Sequence, residues 1–293
     1  MPLIKYPKAK IHVWGGFGSQ LYGVYTYLLL RRQNPERESQ IVFHSSGVTA
    51  RSPQINLLSR NLPIVFIDDF STSHTAHETG ATQSLYLNLL ECFKKFFTRL
   101  GFIDALEPEN GVAKTKFRTL QFRGHYTFYS LDETLLAELI SLPDESSLPL
   151  FDLDYQTVDS HIGIHFRLGD LLNLKSKSYL NPDRISKLIQ SQLKNYGSNV
   201  AVYTDSLDDF WSQIRDRLFV EYVSASSKEP ITTIQELVRS KIFIGTTSKI
   251  SNWICIFRCL ASDQRVSYMP KEMKQTLERQ LRGLNSSHVY YYS

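Results

Sequence analysis

Residues 161–170 read HIGIHFRLGD, and this stretch decides the fold class. It begins as a short apolar run and ends in polar residues. Two later stretches have the same form, VAVYTDS at residues 200–206 and IFIGTTSKIS at residues 242–251. Apolar runs of this length predict buried strands of a parallel sheet. The polar residues that follow then lie at the carboxyl ends of the strands, where open α/β sheets bind their ligands.

Strand and helix patterns alternate throughout the second half of the chain. Further strands are predicted at residues 219–223 and 265–268. Stretches of helical length that mix apolar and charged residues separate the strands, at residues 182–196, 207–218, 231–239, 251–260 and 271–282. This alternation predicts right-handed βαβ units around a parallel sheet, which is a Rossmann-like domain.

The first half begins in the same way and then becomes less regular. Its predicted elements are a strand at residues 10–14, a helix from about residue 20 to residue 32, strands at 40–44 and 63–66, a helix at 86–100 and a strand-rich segment at 119–129. Residues 142–154, with two prolines and several acids, have the composition of a linker. We therefore expect two α/β domains with a cleft between them, residues 1–155 and residues 156–293.

The composition is that of a globular protein. Hydrophobic residues make up 42% of the 293 residues and charged residues 21%, which excludes a mainly disordered chain. Lysine and arginine number 33 against 29 acidic residues, and the net charge of +4 is too small to indicate duplex DNA as the partner. Three cysteines and the lack of an apolar signal segment predict a reduced, cytoplasmic compartment. The longest apolar run ends at Arg31 and is too short to span a bilayer.

A glycine-rich turn, GGFGSQ at residues 15–20, joins the first strand to the first helix. Glycines allow the backbone to approach a ligand closely, and the helix that follows presents unpaired N–H groups. The pattern is not the dinucleotide fingerprint, which has the form G-x-G-x-x-G. Gly15, Gly16, Gly18 and Gln20 are therefore candidates for binding an anion or a hydroxyl-rich ligand, with a purely structural turn as the alternative.

The strand at 161–166 delivers His165 and Arg167 to the same side of the sheet, because side chains alternate along a strand. Arg167 follows the carboxyl end, and a guanidinium can bind two oxygens of a pyrophosphate. Such a site would stabilise a nucleoside diphosphate leaving group without a metal. The alternative is an ion pair between Arg167 and Asp170 that closes the loop.

Hydroxyl and carboxylate side chains follow the next strand patterns. Asp205 and Ser206 can bind a ribose or a base, although an Asp here is also a typical N-cap for a helix that begins near Leu207. Three later hydroxyls can bind phosphate oxygens together with a helix N-terminus, although capping alone would explain two of them. These three are Thr247, Ser248 and Ser251.

In this order, the motifs resemble those of the alpha-1,2-fucosyltransferase family, a branch of the wider superfamily of alpha-1,2-, alpha-1,6- and protein O-fucosyltransferases. The resemblance is carried by GGFGSQ at residues 15–20, HFRLGD at 165–170, YTDS at 203–206 and TSKISNW at 247–253, with a looser similarity at 124–129. It implies an α/β protein of the GT-B fold, with two Rossmann-like domains facing a central cleft. It also implies inverting transfer of L-fucose from GDP-fucose to a sugar hydroxyl, without a metal or other cofactor.

The resemblance further implies roles for individual residues. Arg167 is expected to bind the donor pyrophosphate, and His165 to lie beside the nucleotide. The donor pocket is expected to include Asp205, Ser206, Thr247, Ser248 and Ser251. The glycine turn would face the transferred sugar and the acceptor. The implied acceptor is a galactoside-type hydroxyl of a bacterial surface glycan, with lipid-linked acceptors at the inner face of the cell membrane included.

The sequence departs from the family pattern at two places that matter for the donor. Leu168 replaces the second of two consecutive arginines. Thr232 or Thr233 replaces an acid that would read the two adjacent donors on the guanine edge, and Glu236 is the possible substitute. Guanine therefore follows from the resemblance alone.

The general base is left open between two places. Asp170 is the carboxylate nearest to Arg167 in the sequence, and we assign Arg167 and Asp170 as the catalytic pair. Asp68 or Asp69 would act from the acceptor side, with a solvated turn as their alternative. Asp152 and Asp154 spell a D-x-D metal motif, but they lie in the linker and are interpreted as a solvated pair.

Two other functions compete with fucosyl transfer. One keeps the GT-B fold and uses a different nucleotide sugar, because Leu168, Thr232 and Thr233 lie where donor specificity should be decided. The other is a non-catalytic protein that binds a sugar nucleotide or a glycan. The presence of Arg167 argues against the second, and the sequence does not define the acceptor.

Overall fold

The computed structural model describes residues 8–45, 62–69, 119–123, 126–127, 130–142, 161–168, 182–196, 199–220, 223–261 and 265–293. The chain divides into two compact units. One consists of Met1–Tyr129 with Thr134–Asp144, and the other of Ser130–Glu133 with Glu145–Ser293.

The N-terminal unit contains a four-stranded, fully parallel sheet. Its elements are β1 (Lys8–Trp14), α1 (Phe17–Gln33), β2 (Ser39–His44), β3 (Ile64–Ile67), β4 (Thr119–Arg123) and α2 (Glu133–Ile140). The strand order is β3-β2-β1-β4. Strands β2 and β3 therefore lie on one side of β1 and β4 lies on the other, as in half of a doubly wound fold.

Helix α1 packs tightly on β1. A Cβ at residue 23 would clash with a Val13 methyl group, so glycine is required at this position. Eleven of the seventeen helix residues are buried, so the helix is covered on almost every side and lacks a clear polar face. It begins at Phe17, earlier than the predicted start near residue 20.

The C-terminal unit contains a six-stranded, fully parallel sheet. Its elements are β5 (His161–Phe166), α3 (Pro182–Tyr196), β6 (Asn199–Thr204), α4 (Leu207–Asp209), β7 (Val223–Ser226), α5 (Pro230–Arg239), β8 (Ile242–Ile244), α6 (Lys249–Leu260), β9 (Val266–Pro270), α7 (Lys274–Gln280) and β10 (Val289–Tyr292). The strand order is β10-β9-β8-β5-β6-β7. Counted within the unit from its far edge, this is 3-2-1-4-5-6, the order of the Rossmann sheet, with its topological switch point between β5 and β8. The predicted α/β class with parallel sheets is confirmed.

A buried arginine fixes the elements on one side of this switch point. The Arg258 guanidinium, on α6, donates to the carbonyl oxygens of Leu237, Val238 and Ser240 at distances of 3.0, 3.0 and 2.6 Å. These carbonyls lie at the end of α5, where helix geometry leaves the last C=O groups without helical partners. Arg258 therefore anchors α5 against α6 and the start of β8.

The predicted strand at residues 219–223 is wrong, because the chain has not yet turned back toward the sheet at Phe219. The helical segment before it consists of α4, a π-helical turn at Phe210–Ile214 and a 3₁₀ turn at Arg215–Leu218. Phe219 ends it with φ of 51° and is 71% exposed. Strand β7 consists of Val223–Ser226, which pair with residues 200–203 of β6.

Helix α2 and strand β10 were not predicted. The cysteines Cys255 and Cys259 are buried free thiols in α6, as expected for core residues, and Cys92 lies outside the described residues. Among the residues that the structure describes, none forms a helix long and apolar enough to cross a membrane.

Candidate functional site

The carboxyl ends of β5, β6 and β8 form the candidate site of the C-terminal unit. These strands are neighbours in the sheet, and the switch point lies between β5 and β8. The structure brings to this edge all the predicted donor-site residues that it describes: His165, Arg167, Asp205, Ser206, Thr247, Ser248 and Ser251. Asp170 lies outside the described residues.

His165 is a buried, neutral member of the site. Its Nδ1 lies 2.9 Å from the Ser251 hydroxyl and 3.3 Å from the Ser248 hydroxyl. Burial, together with the charge of Arg167, lowers the pKa of His165 to about 3. A neutral imidazole in this position joins β5 to the start of α6 and contributes no charge to a ligand at physiological pH.

The loop from β8 to α6 is held by its own hydroxyls. Ser248 is the N-cap of α6 and accepts from the backbone N–H of Ser251 at 3.1 Å. The Ser251 hydroxyl in turn accepts from the N–H of Thr246 at 3.0 Å. The capping alternative therefore accounts for Ser248. The Ser251 hydroxyl also stabilises the loop. Thr247, which precedes Ser248, is half-buried.

Two buried polar atoms of this region have no hydrogen-bond partner in the described part of the chain. They are the Thr246 hydroxyl and the Asn252 side-chain oxygen, in residues that are 5% and 1% exposed. A buried polar atom without a partner costs about 1–3 kcal/mol, so native proteins rarely leave one without a ligand, ion or water. The sequence analysis quoted Thr246 but did not assign it to the site.

A second cation accompanies Arg167. Lys249 is the first residue of α6 and is half-buried. Burial, and then the positive charge of Arg167, lowers the pKa of Lys249 from 10.5 to about 8. The two side chains therefore interact electrostatically across the switch point. The sequence analysis missed Lys249, although a lysine directly after a helix N-cap was visible in the motif.

Asp205 organises the loop that carries Arg167. Its carboxylate accepts from the backbone N–H of Leu168 at 2.7 Å, which fixes the chain just after β5. The expected N-cap role belongs instead to Ser206, whose hydroxyl accepts from the Asp209 N–H at 3.4 Å. Leu168 is buried in the core of the unit.

Glu236, the suggested guanine reader, already has partners. Lys228 Nζ lies 2.6 and 2.8 Å from its two carboxylate oxygens. Burial raises the pKa of Glu236, but hydrogen bonds from Lys228 and Tyr203 outweigh it, and the pKa is lowered. Burial and the same hydrogen bond to Glu236 raise the pKa of Tyr203. Thr233 is buried and donates to the carbonyl oxygen of Lys228 at 3.4 Å.

The glycine turn belongs to the N-terminal unit. Gly15 has φ of 98°, which L side chains rarely adopt, and it must be glycine for this reason. Gly16 is the N-cap of α1, whereas Gly18 and Gln20 are buried in its first turn. The Gln20 amide donates to the Gly15 carbonyl oxygen at 3.4 Å. The turn therefore consists of Gly15 and Gly16, and the hydrogen bond from the Gln20 amide stabilises it.

The acids of the first half have well-defined partners. Asp68 accepts from the Ser45 hydroxyl at 2.6 Å, and Asp69 lies 2.9 Å from His44 Nδ1. His44 was not singled out by the sequence analysis. The residues at 124–125 and 128–129, Asp152 and Asp154 lie outside the described residues. Among the residues described, no group of three or more His, Cys, Asp or Glu side chains is placed to hold a metal ion.

No protein-family profile matches the sequence, and no curated protein is significantly similar to it. Solved structures of low identity are similar. POFUT1 in complex with GDP-fucose has a TM-score of 0.45 at 11% identity, covering 92% of this chain and 98% of that chain. The E. coli heptosyltransferase WaaC with ADP scores 0.46 at 10% identity, with 97% and 92% covered. NodZ alpha-1,6-fucosyltransferase soaked with GDP-fucose scores 0.43 at 14% identity, with 88% and 93% covered. At these values the likeness defines neither a family nor a function for this chain.

The chemistry available at the C-terminal site is anion binding. A helix N-terminus, two cations and a buried hydroxyl without a partner lie around the switch point of a Rossmann sheet. Backbone N–H groups at helix N-termini bind phosphate oxygens, and guanidinium and ammonium groups neutralise them.

Proposed function

We propose that this chain is a GT-B glycosyltransferase that transfers L-fucose from GDP-fucose, with inversion, to a sugar hydroxyl. The observation that carries the proposal is the position of Arg167 at the switch point, opposite the N-terminus of α6 and next to Lys249. A diphosphate bound there would meet three sources of positive potential. The choice of fucose as the transferred sugar and of guanine as the base rests on the resemblance of the ordered motifs around these residues.

The proposed chemistry is stabilisation of the leaving group. As the bond between the sugar and the diphosphate breaks, negative charge grows on the phosphate oxygen. Fixed cations aimed at that oxygen stabilise the transition state more than the ground state. Lys249 takes the place of the second family arginine, since Leu168 is buried in the core. The acceptor hydroxyl then attacks the opposite face of the sugar.

The proposed reaction does not use a metal or another cofactor. Arg167 and Lys249 together supply two positive charges, which is the charge that a divalent cation would otherwise bring to a diphosphate. The acceptor class, a galactoside of a bacterial surface glycan that includes lipid-linked forms, and the alpha-1,2 linkage rest on the motif resemblance.

A second candidate is transfer from a different nucleotide sugar. The Glu236 carboxylate is bonded to Lys228 and Tyr203, so it would have to exchange these partners to read guanine. Thermal unfolding with GDP, UDP, ADP or CMP separates the two candidates. Selective stabilisation by GDP supports the first, and stronger stabilisation by another nucleotide supports the second.

The test of the site itself is Arg167→Met. We expect a loss of about 10²–10³-fold in kcat, comparable to removal of one charge-stabilising donor elsewhere. Arg279→Met, at an exposed position of α7 in the same unit, is the matched control and should retain full activity. Full activity of Arg167→Met would refute the assigned mechanism.

A further inference from the structure

Two cysteines of the C-terminal unit lie one helical turn apart, on either side of the buried Arg258. Helix α6 begins at the anion site with Lys249, and Cys255 and Cys259 belong to its second half. Residues i and i+4 of a helix are neighbours on its surface, so the two thiols face each other. Cys255 is fully buried, whereas Cys259 is 9% exposed and lies at the border of the core.

A chain of hydrogen bonds leads from Arg258 to Cys259. The Arg258 Nε donates to the Ser267 hydroxyl at 2.9 Å. Ser267 is hydrogen-bonded to the Cys255 side chain, and Cys255 to Cys259. A guanidinium can only donate, so the Ser267 hydroxyl passes its own proton on to the Cys255 sulfur, and the Cys255 thiol donates to Cys259. The chain therefore ends with a hydrogen bond into the Cys259 sulfur.

This arrangement favours a negative charge on Cys259 over one on Cys255. The hydrogen bond from Cys255 lowers the pKa of the Cys259 thiol, and the charge of Arg258 adds to this effect against the opposing effect of burial. The hydrogen bond to Cys259 and full burial raise the pKa of Cys255, which stays protonated as the donor. A thiolate is the reactive form of a cysteine, so Cys259 is the nucleophile of the pair.

Cys259 borders a small cavity that reaches the surface of the unit. The cavity has room for about one water-sized molecule. Its lining is mainly polar and includes Arg258, Cys259, Arg265, Ser267, Asn285 and His288. Asn285 is exposed, which places the mouth of the cavity at the surface. A small reagent can therefore reach the Cys259 sulfur, and an oxygen atom added to that sulfur has polar neighbours and a place to lie.

The remaining titratable groups around Cys259 come from the segments before β9 and β10 and from β10 itself. Arg265 is 4% exposed and brings a second guanidinium to the cavity, while His288 lies on the β10 side of it. Burial, and then the charges of Cys255, Glu278 and Cys259, raise the pKa of Tyr291, so this phenol stays neutral. The carbonyl groups at the end of α6 modestly oppose an anion, and the Arg258 guanidinium offsets this effect.

From this arrangement we propose that Cys259 is a peroxide-reactive thiol, which hydrogen peroxide oxidises to a sulfenic acid in the folded protein. The Cys259 thiolate attacks one peroxide oxygen, so that an S–O bond forms while the O–O bond breaks. The hydroxide that leaves takes a proton from the solvent and becomes water. The sulfur loses two electrons and the peroxide gains them. The proposal does not depend on the proposed function.

Cys255 supports this reaction as a hydrogen-bond donor and does not form a disulfide with Cys259 in the folded helix. A disulfide requires Cβ atoms about 3.5–4.5 Å apart. The Cβ atoms of residues i and i+4 of a helix are about 5–6 Å apart. The oxidised state is therefore a sulfenic acid on a single cysteine.

The experiment treats the folded protein with hydrogen peroxide at several pH values, removes the peroxide with catalase and unfolds the protein in excess dimedone, which labels sulfenic acids. Trypsin cleaves after Arg258, so Cys255 and Cys259 fall in separate peptides, and mass spectrometry measures the label on each. We expect label on Cys259 and none on Cys255. The rate should rise with pH to a plateau, with a midpoint below 9.0, the ordinary pKa of a cysteine.

Cys255→Ala and Cys255→Ser form a matched pair. Both remove the second sulfur, but only the serine hydroxyl can donate to Cys259. Cys255→Ala should lower the rate of Cys259 oxidation at pH 7 by about threefold or more and move the midpoint to higher pH, because one hydrogen bond to the thiolate is lost. Cys255→Ser should keep a rate close to that of the wild type. Thermal unfolding of each variant shows that the rates refer to folded protein.

Three results would overturn the inference. The first is a folded wild type in which peroxide leaves Cys259 unlabelled, and the second is equal labelling of Cys255 and Cys259. The third is an equal rate in folded Cys255→Ala and Cys255→Ser, because Cys255 would then act through packing and not through its hydrogen bond. None of these measurements uses a nucleotide or a sugar acceptor, so they stand apart from the tests of the proposed function.

Discussion

Lys249 is the residue on which the charge of the anion site depends. Burial and the neighbouring Arg167 guanidinium bring the Lys249 pKa to about 8. Two cations held close together repel each other, and an anion between them removes this cost. A diphosphate bound as proposed would reduce this repulsion.

The first prediction concerns the pH dependence of GDP binding. Charged Lys249 would favour the diphosphate, so affinity should fall as pH rises through about 8, where Lys249 loses its proton in the protein without nucleotide. His165, with a pKa of about 3, does not change charge in this range. Lys249→Met should bind GDP more weakly at neutral pH and lose this part of the pH dependence. Titration calorimetry measures both, with the exposed Lys271→Met as control, and an unchanged pH profile in Lys249→Met would contradict the assignment.

The second prediction concerns acid stability. The pKa of His165 is lowered from 6.5 to about 3 in the folded protein, so below pH 6.5 the unfolded chain binds a proton that the folded chain does not. The contribution of His165 to stability is therefore lost as pH falls from 6.5 toward 3. His165→Gln keeps a polar side chain and removes this titration. Its free energy of unfolding should decline less steeply with acid, by up to about 1.4 kcal/mol per pH unit. Equal slopes in urea titrations would show that His165 is not held neutral.

At the scale of elements, the β8–α6 loop combines a helix N-terminus with a hydroxyl that lacks a partner in the described residues. The Ser248 and Ser251 hydroxyls accept hydrogen bonds from backbone N–H groups of the loop, whereas the Thr246 hydroxyl has no partner among the described residues. A structural loop gains nothing from burying an unsatisfied hydroxyl. We infer that Thr246 serves a ligand and not the fold.

The third prediction follows from this difference between Thr246 and the two serines. Thr246→Val replaces the hydroxyl by a methyl group of nearly the same size, so the ligand-free protein should be as stable as the wild type or more stable by up to about 1 kcal/mol. The affinity for GDP should fall. Thr233→Val is the control, because Thr233 is equally buried but donates to the Lys228 carbonyl oxygen, and its loss should destabilise the protein. A less stable Thr246→Val with unchanged GDP affinity would contradict the inference.

Elements with strong local patterns were predictable, and those shaped by tertiary contacts were not. The bounds of α3 and β5 follow directly from apolar periodicity bounded by polar residues. The prediction for the segment before β7 was wrong because its mixture of residues fits a strand, whereas the backbone turns at Phe219, which has a left-handed conformation. Helix α1 begins earlier than expected because Gly18 and Gln20 are buried by packing, which no local pattern reports.

The candidate site was predictable where chemistry follows a strand directly, as at Arg167. The separate roles of the residues in the site could not be predicted. Ser248 and Ser251 form hydrogen bonds within their own loop, whereas Asp205 binds the segment after β5, and only the three-dimensional contacts reveal this. The contacts of His44 with His12 and Asp69 could not be predicted, because these residues come from β2, β1 and the segment after β3.

At the scale of the whole molecule, the net charge of +4 says little about function. The positions of individual charges are more informative. Two cations lie at the switch point of one sheet, and the Asp69 carboxylate, in contact with His44, lies at the edge of the other. The two cations of the C-terminal unit suit the leaving anion of the proposed reaction.

The fourth prediction concerns metals. Because Arg167 and Lys249 supply the positive charge of the proposed mechanism, removal of divalent cations by EDTA should leave fucosyl transfer unchanged. Initial rates with EDTA, and with Mg²⁺ or Mn²⁺ restored, measure this. A rate that collapses with EDTA and recovers with Mg²⁺ would show that the two side chains do not carry the leaving-group charge alone.

The most direct test of the central claim is the rate of fucose transfer from GDP-fucose to a panel of galactosides, measured for the wild type and for Arg167→Met. The account predicts transfer by the wild type, a loss of about 10²–10³-fold in kcat for the variant, and no loss in the Arg279→Met control. Equal rates in the wild type and Arg167→Met, or no transfer together with no GDP binding, would contradict it.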